Sequence, residues 1–178
     1  SDVDSAQRIN VTGWAERRRI FRSLDAGIDT AIATGSVDSA RIGITGFSDG
    51  EGTVQFALNH SARFKAAAIS SCCDEPGAMF TLGPSYAASG ARWGYPLAGD
   101  DGRAFWKPQS LALNADRIRV PLLLQVPDSE VRGAAESFAA LKGHGAPVEM
   151  YVFAGEHHIK IRPVHRLAIY ERAVAWFD

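Results

Sequence analysis

The sequence has few cysteines, almost no net charge and no long apolar run. Its net charge of −1 gives no basic surface for nucleic acid or for an anionic membrane. No apolar run approaches the roughly 18 residues of a membrane-spanning helix, and the first residues lack the basic and apolar regions of a signal peptide. Nucleic acid and membrane are therefore not expected partners, and a targeting signal upstream of Ser1 would not be visible here.

The two cysteines, Cys72 and Cys73, are adjacent. A disulfide between neighbours closes a strained eight-membered ring, so we expect two buried thiols that pack as small core residues. Such thiols are compatible with a cytoplasmic setting. No motif indicates a cofactor or a metal ion.

Apolar runs and helical periods alternate along the 178 residues, of which 46% are hydrophobic and 22% charged. This composition fits one domain. The predicted helices cover residues 11–34, 51–59, 130–142 and 162–177, and the predicted strands cover residues 41–45, 65–69, 120–126 and 148–153. The alternation predicts an α/β fold with a mostly parallel sheet flanked by helices.

Two parts of this pattern permit more than one interpretation. Thr12 can cap the first helix, whose arginines at positions 17, 18, 19 and 22 predict a solvated surface in preference to an anion site. Residues 74–115 are irregular and are expected to lie above the sheet, where long loops line substrate sites. Their aromatic residues, Tyr86, Trp93, Tyr95 and Trp106, are candidate pocket walls, although plain packing is favoured for each.

Residues 42–50 carry the chemistry that can be interpreted most directly. A short apolar strand runs into the G-x-S-x-G turn around Ser48, which is the pattern of a nucleophile elbow. A serine hydroxyl is a poor nucleophile at neutral pH and must stand where a base can reach it. Gly46 and Gly50 are expected to remove side chains that would collide at such a turn. The pattern is weak by itself and gains its value from residues further along the chain.

An acid and a histidine come after Ser48 in the order that α/β hydrolases use. The strand at 120–126 opens into a loop with two candidate acids, Asp128 and Glu130. The strand at 148–153 runs into a turn with two adjacent imidazoles, His157 and His158. Serine, carboxylate and histidine, each after a strand, predict a serine hydrolase.

These residues resemble the catalytic domain of the prolyl oligopeptidase family of serine peptidases over nearly the whole chain. Within that family, several details are similar to the lasso peptide isopeptidases: the aspartate at position 49, the Ser-Ser-Cys-Cys run at 70–73, Trp-Lys at 106–107 before Ser-Leu at 110–111, and Leu-Gln at 124–125 leading to Asp-Ser-Glu at 128–130. The resemblance implies an α/β-hydrolase fold and hydrolysis of the isopeptide bond that closes the ring of a lasso peptide.

The resemblance also implies roles for particular residues. Ser48 is the nucleophile, and the family pattern G-E-x-H selects His158 over His157 as its base. The acid has two candidates. The larger family places an aspartate three residues before a valine, which selects Asp128, whereas the isopeptidase resemblance favours Glu130. We choose Glu130.

The backbone N–H of Asp49 is the expected oxyanion donor, since Asp49 is the residue after the nucleophile. Its carboxylate would oppose a developing negative charge, so we expect it to point away and to bond to nearby backbone or to an arginine. A complete hydrolase sheet has about eight strands, against four predicted here. Residues 1–178 are therefore expected to be the C-terminal portion of a catalytic domain that an upstream segment completes, after an N-terminal β-propeller. That segment should supply the second oxyanion donor.

Two other functions remain open at this point. One is an ordinary oligo-, dipeptidyl or acylaminoacyl peptidase of the same family. The other is a binding module that keeps the hydrolase fold without catalysis, because fold alone does not establish activity.

Overall fold

The computed structural model describes residues 2–71, 73–96 and 100–178, in which helices alternate with strands. The helices are α1 (Asp2–Val11), α2 (Ala15–Ala33), α3 (Asp49–His60), α4 (Ala78–Thr81), α5 (Pro84–Trp93), α6 (Asp100–Trp106), α7 (Val131–Gly143) and α8 (Pro163–Phe177), with short 3₁₀ turns at Thr12–Trp14 and Ala112–Asn114. The strands are β1 (Ile42–Phe47), β2 (Phe64–Ser70), β3 (Leu122–Pro127) and β4 (Val148–Phe153). The predicted α/β class is confirmed. None of the helices in this described part combines the length and apolar character that a membrane span requires.

Within the described residues the sheet has four strands in the order β1-β2-β3-β4, and every neighbouring pair is parallel. Parallel strands place their carboxyl ends at one edge of the sheet. The loops after β1, β3 and β4 therefore meet there. These are the loops that contain the predicted serine, acid and histidine.

Helices cover both faces of the sheet. On one face, Ile44, Ile69 and Leu124 belong to a buried cluster that α3 and α7 complete. On the other face, α8 packs so closely that a Cβ atom at Gly43 would lie 2.5 Å from the Phe177 ring. β3 is buried along its whole length, and its Leu122 and Leu124 belong to the buried cluster on the first face.

The N-terminal helix differs from the prediction. Instead of starting near Val11, helix begins at Asp2 and breaks at Gly13 and Trp14, whose φ angles are 58° and 57°. Thr12 does not cap α2, because its hydroxyl donates to the Arg8 carbonyl at 2.7 Å within the preceding turn. Trp14 is buried, and its contacts stabilise a backbone conformation that a tryptophan rarely adopts.

The aromatic residues of the irregular segment serve mainly in packing. Trp106 is fully buried, stacks on Tyr95 with ring centroids 5.4 Å apart and meets Trp14 edge to face. The indole N–H of Trp93 donates to Asp4. The favoured packing interpretation is therefore confirmed for Trp106, and helices α4 to α6 carry the segment.

The expectation of free thiols is wrong for Cys73, which is buried and disulfide-bonded. Cys72 lies outside the described residues. Because free thiols were the one link to a reducing compartment, the cysteines no longer favour the cytoplasm.

Glu75 is a fully buried carboxylate that joins the start and the end of the irregular segment to α7. It accepts hydrogen bonds from the backbone N–H groups of Leu111 and Ala112 at 2.7 and 3.1 Å, and from the hydroxyls of Ser137 at 2.6 Å and of Ser110. Burial raises the pKa of Glu75 to about 7, although the hydrogen bonds from these donors oppose the shift.

This shift predicts a pH-dependent stability. The unfolded carboxyl loses its proton near its ordinary pKa of 4.5 whereas the folded one keeps it to about 7, so the free energy of unfolding falls as pH rises through that range. In the wild type the free energy of unfolding should fall by on the order of 2 to 3 kcal/mol between these two pKa values, and Glu75→Gln should abolish this decrease. Urea unfolding at several pH values checks this, with the exposed Asp116→Asn as control. Parallel pH dependences for wild type and Glu75→Gln would contradict it.

Candidate active site

Ser48 stands in a strained turn between β1 and α3. Its φ and ψ angles are 56° and −125°, in a region that costs a non-glycine residue about 1–3 kcal/mol. A Cβ atom at Gly46 would collide with the Gly50 backbone and lie 2.8 Å from the Val54 side chain, whereas one at Gly50 would meet nothing within 4 Å. The expectation that a side chain would collide at the turn is thus confirmed for Gly46 and wrong for Gly50.

The structure brings Ser48, His158 and Glu130 into one hydrogen-bonded chain. His158 Nε2 lies 2.9 Å from Ser48 Oγ, and His158 Nδ1 lies 2.8 Å from Glu130 Oε1. With the ring proton on Nδ1, the imidazole donates to the carboxylate and Nε2 accepts from the serine hydroxyl. The geometry therefore permits His158 to remove the hydroxyl proton while Glu130 stabilises the imidazolium.

Asp128, the alternative acid, has a different contact. Its Oδ2 accepts a hydrogen bond at 2.7 Å from the backbone N–H of Gly155, and this bond lowers the pKa of the carboxyl. Gly155 belongs to the turn that leads to His158. Asp128 thus secures the loop that carries the imidazole, and the longer Glu130 side chain at the start of α7 reaches the ring.

Asp49, the first residue of α3, points its carboxylate at Arg17 as expected. Arg17 Nη1 donates to Asp49 Oδ2 at 3.0 Å, and Nη2 contacts Oδ1. The hydrogen bond from Arg17 lowers the pKa of Asp49. The side chain of Arg17 is only 11% exposed. The prediction that the arginines of the first helix form a solvated surface is therefore wrong for Arg17.

Removing Arg17 should weaken hydrolysis in the complete protein. In Arg17→Gln the Asp49 carboxylate has no cationic partner beside the expected oxyanion position, where a negative charge raises the barrier. We expect kcat to fall about tenfold, the size of one modest electrostatic stabilisation of the transition state. Steady-state kinetics measure this, with the exposed Arg22→Gln as matched control. Equal kcat values for the two variants would contradict the assigned role.

Glu156 belongs to the histidine motif of the sequence, but sequence reasoning missed its own role. It is buried and accepts hydrogen bonds from the backbone N–H groups of Ile161 and Arg162 at 3.0 and 3.1 Å, while His165 Nδ1 lies 2.8 Å away. It therefore ties the loop after β4 to the start of α8. His157 is exposed.

A cavity of about 650 Å³ lies beside the site, under α8. Its walls come from the ends of β1 and β2, from Gln125, Lys160 and the inner face of α8, including Tyr170. None of the four aromatic residues proposed as pocket walls lines this cavity. Across the described residues, no group of three or more His, Cys, Asp or Glu side chains is arranged to hold a metal ion.

A serine in a strained strand-to-helix turn, bonded to a histidine that contacts a carboxylate, is the arrangement of α/β serine hydrolases. The sequence pattern of the prolyl oligopeptidase family matches residues 17–178. The chain belongs to the prolyl oligopeptidase family, so the family resemblance is confirmed.

Particular relatives are similar over nearly all of the chain. The lasso peptide isopeptidase AtxE2 of Asticcacaulis excentricus is 41% identical over 167 residues, which are 93% of this chain and 24% of that protein. The structure of AtxE2 without ligand and that of a serine-to-alanine variant with Astexin3-dC4 bound superpose with TM-scores of 0.89 and 0.88, at 39% identity, over 96% of this chain and 26% of theirs.

A more distant structure shows the same fold. The acylaminoacyl peptidase of Pyrococcus horikoshii superposes with a TM-score of 0.73 at 23% identity, over 88% of this chain and 27% of that one. The chain spans about a quarter of the length of the relatives it matches.

Proposed function

We propose that the complete protein is a serine isopeptidase that hydrolyses the isopeptide bond closing the ring of a lasso peptide. The observation that carries this proposal is the hydrogen-bonded chain from Ser48 through His158 to Glu130, in a sequence 41% identical to a lasso peptide isopeptidase. Glu130, rather than Asp128, is the acid that the isopeptidase resemblance favours.

The geometry supports a two-step mechanism. Ser48 Oγ attacks the isopeptide carbonyl while His158 Nε2 takes its proton, and the backbone N–H of Asp49 faces the oxyanion. His158 then gives that proton to the leaving amine, which leaves an acyl-enzyme on Ser48. Water, activated by the same imidazole, attacks the acyl-enzyme and releases a carboxylic acid. Glu130 holds the imidazole tautomer throughout.

We further propose that residues 1–178 act as the C-terminal portion of a catalytic domain and that an upstream segment of the same protein completes it. Among the described residues, β1 pairs only with β2, and its other edge has no strand partner. The outer face of α8 exposes Val164, Leu167 and Val174 by 68%, 57% and 62%. An open strand edge and an apolar helix face are surfaces that proteins normally cover. That segment is also the expected source of a second oxyanion donor, and without it the chain should be inert.

Mass spectrometry of a lasso peptide incubated with the complete protein tests the function. We expect the threaded peptide to gain the mass of one water as its ring opens, with no product from the Ser48→Ala variant. The unthreaded ring of the same sequence should stay closed if the protein recognises the threaded shape.

Two outcomes would overturn the proposal. Cleavage of generic linear peptides with no opening of the threaded ring would indicate an ordinary peptidase of the family. Binding of the threaded peptide with no cleavage, by a protein whose Ser48 does not react with a fluorophosphonate, would indicate a binding module.

A further inference from the structure

The loop between β4 and α8 buries a lysine two residues after His158. Lys160 is only 7% exposed, and its Nζ donates hydrogen bonds to Ser70 Oγ at 3.1 Å and to Ser71 Oγ at 3.2 Å. Taking an ammonium group out of water is costly unless the group has partners. Neither the packing of the fold nor the proposed mechanism accounts for this cation.

Its contacts lead directly to the imidazole of His158. Ser71 Oγ lies 3.5 Å from His158 Nδ1, the nitrogen that also contacts Glu130. The Lys160 ammonium lies 5.3 Å from the centre of the Phe47 ring, and that ring lies 5.1 Å from the His158 ring. One buried cation therefore joins the ends of β1 and β2 to the loop that carries the histidine.

Ser71 shows that this arrangement is maintained against local strain. Its φ angle is 90° and its side chain is buried, although a non-glycine residue in such a conformation costs about 1–3 kcal/mol. The surrounding contacts must compensate this cost, and the hydrogen bond from Lys160 is one of them. In this conformation the Ser71 hydroxyl lies between the ammonium and the imidazole.

We propose that Lys160 is a positioning residue of the active site: through the Ser71 hydroxyl and the Phe47 ring, its ammonium holds the His158 imidazole in line with Ser48 and Glu130. The inference rests on the proposed serine chemistry. It does not depend on which peptide is cleaved.

The cation also has an electrostatic consequence. Glu130 contacts the His158 ring directly, Asp128 accepts a hydrogen bond from Gly155 in the turn before it, and Glu156 and Lys160 lie in the same loop as His158. Burial lowers the pKa of Lys160, while Glu130 and Glu156 act in the opposite direction. Lys160 therefore places a positive charge close to the imidazole, among carboxylates that attract it.

The test uses the complete protein and its Lys160→Met variant, which keeps an unbranched side chain and removes the charge. The rate at which a fluorophosphonate labels Ser48 is measured between pH 5 and 9, because this reaction needs the activated serine and no particular peptide. We expect labelling of the variant at pH 8 to be about 10- to 100-fold slower, part of what a positioned general base contributes. The midpoint of its pH profile should move to higher pH, since a positive charge near the reacting groups has been removed.

Three further variants separate positioning from simple loop stability. Lys160→Arg keeps the charge and should keep the midpoint. Ser70→Ala and Ser71→Ala each remove one acceptor of the same ammonium, but only Ser71 lies beside His158. We expect Ser71→Ala to slow labelling about tenfold and Ser70→Ala less than about twofold, because only the first removes a group that touches the base.

The inference is overturned if Lys160→Met has the wild-type midpoint and a rate that falls only with its folded fraction, measured by circular dichroism. Equal effects of Ser70→Ala and Ser71→Ala would also overturn it. Failure of the proposed function looks different: wild-type Ser48 would be labelled normally while the threaded peptide stays intact. If wild-type Ser48 is not labelled, neither proposal survives.

Discussion

Replacing Ser48 with alanine in the complete protein is expected to lower kcat by about 10⁶-fold, because the covalent route is lost and only binding and oxyanion stabilisation remain. The hydroxyl 2.9 Å from His158 Nε2 is the atom that the mechanism requires. Substrate binding should change little, since the substitution removes only one hydroxyl group. Single-turnover kinetics with excess enzyme measure the chemical step directly.

The interpretation of this variant depends on its remaining folded. Alanine at position 48 keeps the Cβ atom and the strained backbone of the turn, so the melting temperature should stay within a few degrees of the wild type. A folded Ser48→Ala variant that retained more than about a hundredth of wild-type kcat would show that another group is the nucleophile.

The second large effect concerns the acid. Glu130→Gln should lower kcat by about 10³- to 10⁴-fold, because the neutral amide no longer stabilises the imidazolium and can favour the wrong ring tautomer. Asp128→Asn is the matched control. Its amide oxygen can still accept the hydrogen bond from the Gly155 N–H, so we expect kcat to change less than about fivefold, as for a supporting residue.

The ratio between these two variants decides which carboxylate is the acid. Measured as kcat on one substrate at one pH, it should exceed about a hundred. If kcat falls further in Asp128→Asn than in Glu130→Gln, the acid is Asp128. The 2.8 Å contact between Glu130 and His158 is then not the one used in catalysis.

The sequence predicted the parts of this site that depend on local pattern. The strand and the G-x-S-x-G turn around Ser48 carry their signal within nine residues, and the strands before Glu130 and His158 are apolar runs bounded by polar loops. Parallel strands bring such loops to one edge. The three chosen side chains do lie within hydrogen-bond distance, while their catalytic roles remain predictions.

The features that the sequence could not predict depend on contacts between distant segments. The burial of Arg17 results from the position of α2 against α3, and nothing within the arginine run distinguishes residue 17 from its neighbours. Gly13 is a local signal for the break in the N-terminal helix, but the positive φ angle of Trp14 is not predictable locally, because the aromatic cluster with Trp106 stabilises it. In the sequence Lys160 is an ordinary loop lysine, and only the fold shows that its ammonium contacts Ser70 and Ser71 at the end of β2.

The mechanism depends above all on Ser48 being a nucleophile that His158 activates, and mapping the site of a covalent adduct examines both residues at once. The complete protein is treated with a fluorophosphonate, digested and analysed by mass spectrometry, alongside the Ser48→Ala and His158→Ala variants. We predict one adduct, on the peptide that contains Ser48, absent from the first variant and slowed at least about a thousandfold in the second. An unmodified Ser48, or an adduct that forms equally fast without His158, would contradict this mechanism.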